Sequence, residues 1–170
     1  MFVSFYIKTL RIYKVIINGL GGDMSKQVLH WLFGFTFVVM SSFTQAEVIS
    51  VVVNSESKLT AASVKKKDIR SLFLGKASNI NGVSLSPVAQ SRNRSITLIF
   101  NNDVLGKSSD KMRAYWSRVM FSGKASPPPE LEDDQAVKMH VARNKDAISY
   151  MKKSMVDDTV KSIFDLSVTE

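Results

Sequence analysis

Residues 48–53 read Val48-Ile-Ser-Val-Val-Val53, and polar residues Asn54-Ser-Glu-Ser57 follow them. A short run dominated by β-branched residues and closed by turn residues predicts a buried β-strand. Two later runs have similar character, Ala147-Ile-Ser-Tyr-Met151 and Val160–Leu166. We therefore expect strands at both ends of the folded part of the chain, with mainly helices between them.

The intervening sequence has apolar residues at helical spacing in four stretches that open on a capping residue and close on glycine, proline or asparagine. These stretches begin at Thr60, at Ser95, at Ser108 or Ser109, and at Asp133. Val83–Val88 alternates like a strand, after turn residues Asn79–Gly82. The order β-α-β-α-α-α-β-β predicts an α/β fold, a mixed layered domain.

The region before this domain is typical of an export leader. Lys26 precedes the apolar run Val28–Met40, and Thr44-Gln-Ala46 places small residues where a signal peptidase cuts. A membrane anchor is the alternative, but a spanning helix needs about 20 apolar residues and this run is shorter. We expect residues 24–46 to be a signal peptide and 47–170 to be one periplasmic domain. Residues 1–23 are then an upstream extension, with either Met1 or Met24 as the true start.

Composition restricts the chemistry. The 170-residue chain has no cysteine, so it has no disulfide and no thiol nucleophile. Its formal charge is +8; four bases and one acid precede residue 47, leaving 19 bases against 14 acids, or +5. That charge suits an anionic ligand, a membrane surface, nucleic acid, or solubility alone. The run Lys65-Lys-Lys67 lacks interleaved aromatic residues, which favours a solvated face over a nucleic-acid site.

Catalytic patterns are weak in this sequence. Only one histidine, His140, follows the leader, and it falls within a predicted helix. The acidic pairs Asp133-Asp134 and Asp157-Asp158 are sequence neighbours that point different ways on a helix, so we interpret them as solvated turn residues. Tyr115, Trp116 and Phe121 are expected to pack in the core or at its rim. We predict no enzyme activity and no cofactor or metal.

Ser91-Arg-Asn-Arg-Ser95 is the strongest candidate site. It follows a predicted strand and opens a predicted helix, where unpaired N–H groups and the helix dipole favour an oxyanion. Arg92 and Arg94 can add paired hydrogen bonds, and Ser95 and Thr97 carry hydroxyl groups. The alternative is an ordinary basic loop in which Ser95 is only the helix cap.

Several segments occur in a defined order across residues 51–150: Ile69-Arg-Ser-Leu-Phe-Leu-Gly-Lys76, Pro87-Val88, Val104-Leu-Gly106, Tyr115-Trp116, Phe121-Ser-Gly-Lys124, Pro127-Pro-Pro129 and Val141–Tyr150. Their order and spacing resemble those of the periplasmic phosphate-binding proteins of ABC transporters. The resemblance implies a type II periplasmic-binding fold, here one lobe or a compact version of it. It also implies relation to phosphate uptake, with phosphate or a similar oxyanion as ligand and an ABC transporter permease as partner.

The sequence departs from that family at the ligand loops. The chain is too short for two complete lobes, Asn54–Ser57 carries Glu56 where an early anion loop is expected, and Ser91–Thr97 lacks the family's Ser-Gly-Thr. Two functions follow as alternatives. One is a non-catalytic solute-binding domain; the other is an adaptor or sensor that keeps the fold and binds a protein or envelope component. A hydrolase is a third and weaker alternative.

Overall fold

The computed structural model describes residues 48–167. The predicted leader and upstream extension lie outside these residues. A four-stranded sheet forms the centre, in the order β4-β7-β1-β8. Its members are β1 (Val48–Asn54), β4 (Ser86–Pro87), β7 (Ala147–Lys152) and β8 (Val160–Ser167).

Strand β1 occupies the interior of this sheet and runs antiparallel to both neighbours. Val53 pairs with Ile148 and Ile49 pairs with Lys152, so the end of β1 lies beside the start of β7. Strand β4 runs parallel to β7, with Ser86 opposite Ala147. The three strands predicted from the two ends of the chain are therefore confirmed and are neighbours in one sheet.

Two small strand pairs complete the β-structure. Strands β2 (Asn79–Ile80) and β3 (Val83–Ser84) form a hairpin whose turn residues Asn81 and Gly82 both have positive φ, as the turn chemistry predicts. Strands β5 (Ala89–Gln90) and β6 (Glu130–Leu131) pair in parallel. This second pair joins two segments that are distant in sequence.

The helices of the described region are α1 (Lys66–Phe73), α2 (Ser95–Asp103), α3 (Ser109–Phe121) and α4 (Asp134–Arg143). Short 3-10 turns lie at Ala61–Ser63 and Lys153–Met155. Within residues 48–167, no helix has both the length and the apolar character required to cross a bilayer.

Alternating side chains of β1 divide the core between two clusters. Ile49, Val51 and Val53 belong to the larger cluster, which includes apolar residues of α1 and α2. Val52 belongs to the smaller one, with Val137 and Val141 of α4. Successive strand residues point to opposite faces. The sheet therefore lies between helices on both faces, and the predicted mixed layered α/β domain is confirmed.

Three predicted element boundaries are wrong. The helix expected from Thr60 is a 3-10 turn followed by an extended segment, because the Asp68 carboxylate accepts from the Lys65 N–H and starts a new helix at Lys66. Ser95 does not cap α2; Arg94 is the N-cap residue and Ser95 is the first helical residue. The strand expected over 83–88 divides into β3 and β4, which pair with different partners.

Two predicted side-chain environments are also wrong. Phe121 is 96% exposed rather than packed. It lies five residues after the buried Trp116, which turns it roughly 140° around the helix from that side chain. Asp134 is buried rather than solvated, because three groups of other elements bond to its carboxylate.

Candidate binding cleft

A cleft of about 610 Å³ lies against helices α2 and α3. One part of its lining is polar and comes from the loop before α2, with Gln90, Arg92 and Asn93. A second part comes from α3, where the apolar residues Met112, Trp116 and Met120 lie beside the polar lining residues Ser109, Arg113 and Ser117. Of the residues predicted as ligand-binding candidates, Arg92 and Thr97 are in the lining. The combination of polar and apolar walls is typical of a small-molecule site.

Arg92 lies in this cleft and binds a carboxylate of the protein itself. Its Nη2 and Nε donate to Glu130 Oε1 at 2.9 and 3.2 Å, and its backbone N–H donates to Oε2 at 3.2 Å. Both side chains are accessible, at 76% and 37% exposure. A guanidinium and a backbone N–H converging on one carboxylate form an oxyanion-binding arrangement. Glu130 itself supplies the oxyanion.

Arg94 has a different role. Its Nη2 donates to Asp134 Oδ2 at 3.1 Å, while Asp134 Oδ1 accepts from Gln90 Nε2 and from the Lys152 N–H. The carboxylate thereby ties the start of α2 to the start of α4 and to the end of β7. Arg94 does not line the cleft. Two atoms of this network, Gln90 Oε1 and Arg94 Nε, are buried without a hydrogen-bond partner.

Thr97 and Ser95 lie on different sides of α2. Thr97 is buried and lines the cleft; its hydroxyl donates to the Gln90 carbonyl at 3.3 Å and accepts from Tyr150 Oη at 3.1 Å. Burial raises the pKa of the Tyr150 phenol, so the phenol remains a neutral hydrogen-bond donor. Ser95 is exposed and does not line the cleft. The structure thus brings Arg92 and Thr97 to the cleft but not Arg94 and Ser95.

Several cleft residues escaped the sequence analysis as ligand-binding candidates. Arg113 lines the cleft and is paired with Asp110 at 2.5 Å. Met112, Trp116 and Met120 follow one another at intervals of four along α3, which places them on one side of the helix. That spacing was visible in the sequence, but it is also the spacing of core residues.

The early loop Asn54–Ser57 lies at the other end of the sheet. Asn54 is the last residue of β1 and lies beside the start of β7, whereas Gln90 bonds to Tyr150 near the end of β7. Glu56 pairs with Lys145, whose ammonium lowers the pKa of the Glu56 carboxyl. The loop that carries Glu56 is therefore distant from Arg92, and the acid beside Arg92 is Glu130.

The fold is similar to part of the fold of solved substrate-binding proteins of phosphate ABC transporters. One solved protein with this likeness, from Clostridium perfringens, is described as such a substrate-binding protein and contains bound phosphate. It shares 17% identity with a TM-score of 0.53 over 69% of this chain and 44% of its own. An ABC-type phosphate transport receptor from Vibrio cholerae shares 19% identity with a TM-score of 0.52 over 71% of this chain and 47% of its own.

At these identities the likeness concerns the fold alone. The chain spans less than half of the length of either solved protein. No protein-family model matches the chain, and no curated protein matches it significantly in sequence.

Proposed function

We propose that this domain is a non-catalytic, exported solute-binding domain that takes a small oxyanion in the cleft beside α2. One observation carries the proposal: Arg92 already holds a carboxylate through its side chain and its backbone N–H. A phosphate or sulfate ion offers the same acceptor geometry with more charge. The phosphate bound in the Clostridium perfringens protein supports this ligand class.

The start of α2 supports the same ligand. Arg94 has extended backbone angles, and no side chain caps the helix. The first N–H groups of an uncapped helix are available to an anion, and the helix dipole favours negative charge there. Asn93 and Thr97, on either side of this helix start, both line the cleft. In this arrangement Arg94 positions the loop through Asp134, and Ser95 stays outside the cleft.

Glu130 is the competitor of the incoming anion. An exposed ion pair contributes only about 0.2–1 kcal/mol, so displacing Glu130 from Arg92 costs little. Its negative charge nevertheless weakens anion binding while it stays in the cleft. The export leader at 24–46 and an ABC transporter permease as partner belong to the same proposal.

An adaptor is the second candidate function. Beside the cleft, Met120 is 49% exposed and Phe121 is 96% exposed, which leaves an apolar end on α3. Exposed aromatic and methionine side chains are common where proteins bind partners. This function predicts that the chain binds neither phosphate nor sulfate.

Calorimetric titration of the purified chain with phosphate and sulfate separates the two functions. Charged hydrogen bonds contribute roughly 1.5–3 kcal/mol each, so Arg92→Ala should weaken binding about tenfold to a hundredfold. Glu130→Gln keeps the side-chain shape and removes the competing charge, so binding should strengthen by about threefold to fivefold. Glu56→Gln is the matched control, since Glu56 lies at the other end of the sheet, and it should change nothing. Failure of both the parent and Glu130→Gln to bind either ion would favour the adaptor.

A further inference from the structure

We propose that the ligand of this cleft is an organic anion with an apolar body, such as a phosphate monoester, rather than free inorganic phosphate. Its head would bind at Arg92 and its body along the side of α3 formed by Met112, Trp116 and Met120. The inference rests on the proposed function for the head group and adds the chemical class of the remainder of the ligand.

The size of the cleft is the first argument. At roughly 30 Å³ per heavy atom, the share of a water molecule in the liquid, a phosphate ion fills on the order of 150 Å³. The cleft measures about 610 Å³. That volume falls in the range of roughly 300–1,000 Å³ that holds larger organic ligands. A phosphate ion bound at Arg92 would therefore fill only a minor part of the cleft volume.

The chemistry of the walls is the second argument. The side chain of Trp116 is buried, at 9% exposure, and its ring meets Tyr115 edge-on with the ring centroids 5.2 Å apart. Met112 and Met120 flank it one turn away on either side, and their flexible thioethers adapt to apolar ligands of varied shape. Pro127 and Pro128 add further apolar lining from another segment. The thioether and proline side chains of this wall have no N–H or O–H to donate to a phosphate oxygen.

The charge of the cleft is the third argument. Its lining includes two guanidinium groups, of Arg92 and Arg113, and one carboxylate, of Glu130. Arg92 and Arg113 are each held by an exposed carboxylate, of Glu130 and Asp110, in a weak ion pair that an anionic head can displace. The apolar wall favours a body that leaves water when it binds. A single molecule with an anionic head and an apolar body can therefore bind both the polar and the apolar part of the lining.

The test compares three ligands on the purified full chain by calorimetry: inorganic phosphate, methyl phosphate and phenyl phosphate. Methyl and phenyl phosphate have the same head group and differ in the apolar body. Burying an aromatic ring is worth more than a factor of ten in affinity. Phenyl phosphate should therefore bind at least tenfold more tightly than methyl phosphate, and its binding should quench tryptophan fluorescence.

Two methionine variants locate the apolar contact. Met120 lines the cleft at 49% exposure, and Met139 on α4 has a similar 46% exposure but does not line it. Met120→Ser should weaken phenyl phosphate about threefold to tenfold and leave methyl phosphate unchanged, while Met139→Ser should affect neither. Equal affinities for phenyl and methyl phosphate in the parent would overturn this inference and leave the proposed oxyanion function standing. No binding of any of the three would overturn both.

Discussion

Gly75 follows Leu74, the residue that caps the end of helix α1, and has a φ of +66°. Its N–H bonds to the Leu72 carbonyl and the next N–H bonds to Ser71, which ends the helix in a left-handed turn. A Cβ at this position would lie 2.9 Å from the Ala125 Cβ and 3.3 Å from the Trp116 ring. The absence of a side chain at Gly75 therefore sets how closely α3 and its tryptophan approach α1.

Replacing this glycine tests that dependence. Gly75→Ala should lower the free energy of unfolding by about 2–4 kcal/mol, the sum of the left-handed backbone cost and of overpacking. Gly123→Ala is the matched control, because Gly123 has a φ of +67° and nothing within 4 Å of the added Cβ. It should cost only about 1 kcal/mol. Equal losses for the two variants in urea unfolding would show that the contact with Trp116 carries no steric cost.

Asp157 gives a residue-scale dependence on pH. Its carboxylate accepts from the Thr159 hydroxyl and from the Lys138 ammonium, and these hydrogen bonds lower its pKa from 3.8 to about 2. Because the folded state favours the ionised form, this stabilisation is complete above pH 3.8 and is lost as the pH falls toward 2. Carboxyl-carbon NMR should record that low pKa in the parent. Thr159→Val should raise it by removing the largest cause, and an unchanged titration in the variant would contradict this explanation.

At the scale of elements, the starts of α2 and α4 are joined through one carboxylate. Asp134 accepts from Arg94, from Gln90 and from the Lys152 N–H, and its side chain is 9% exposed. Breaking a buried pair leaves the other charge uncompensated and costs about 3–5 kcal/mol; Arg94 is 35% exposed, so solvent lowers that cost. Asp134→Ala should therefore destabilise the fold by about 2–4 kcal/mol.

The neighbouring aspartate is the control for this prediction. Asp133 caps α4 by accepting from the Ala136 N–H at 2.8 Å. Its replacement by alanine should cost about 1 kcal/mol, the usual value for a lost cap. Thermal melting of both variants checks the difference. A smaller loss for Asp134→Ala than for Asp133→Ala would show that the network contributes no more than an ordinary cap.

The sequence predicted some of these elements better than others, for a physical reason. The strands β1, β7 and β8 followed from runs of apolar and β-branched residues, because burial in the sheet acts on the whole run. The helix starts at Lys66 and Ser95 were missed, because each depends on one local bond or turn. The Asp68 carboxylate accepts a hydrogen bond from the Lys65 N–H, and this bond sets the start of α1 at Lys66. The Arg94 N–H bonds to the Ser91 carbonyl in a turn, and the cap of α2 is therefore Arg94 rather than Ser95.

At the scale of the whole molecule, the cleft depends on long-range strand pairings, which cannot be predicted from local sequence patterns. Arg92 and Glu130 are 38 residues apart, and the parallel pairing of β5 with β6 brings them together. The arginine loop was predicted to open a helix, which it does, but Glu130 was not predicted to lie beside Arg92. Glu130 was missed because its position beside Arg92 is fixed by a long-range strand pairing that has no local signal in the sequence.

The mature form of the chain is expected to begin directly before strand β1. Strand β1 begins at Val48, which pairs with Ser167, and Ile49 next to it pairs with both Lys152 and Leu166. A cut after Ala46 leaves Glu47 and all of this interior strand, so the product keeps its sheet. We therefore expect the envelope fraction of a bacterial host to contain a soluble chain whose intact mass begins at Glu47.

Two variants test whether a signal peptidase makes this cut. The enzyme requires small residues at the first and third positions before the cut and tolerates any residue between them. Ala46→Phe should therefore leave the leader attached, while Gln45→Phe, which adds the same ring one position earlier, should be processed normally. Processing that ignores both changes would place the cut elsewhere. A full-length parent chain retained in the membrane fraction would show that the apolar run 28–40 is an anchor rather than a cleaved leader.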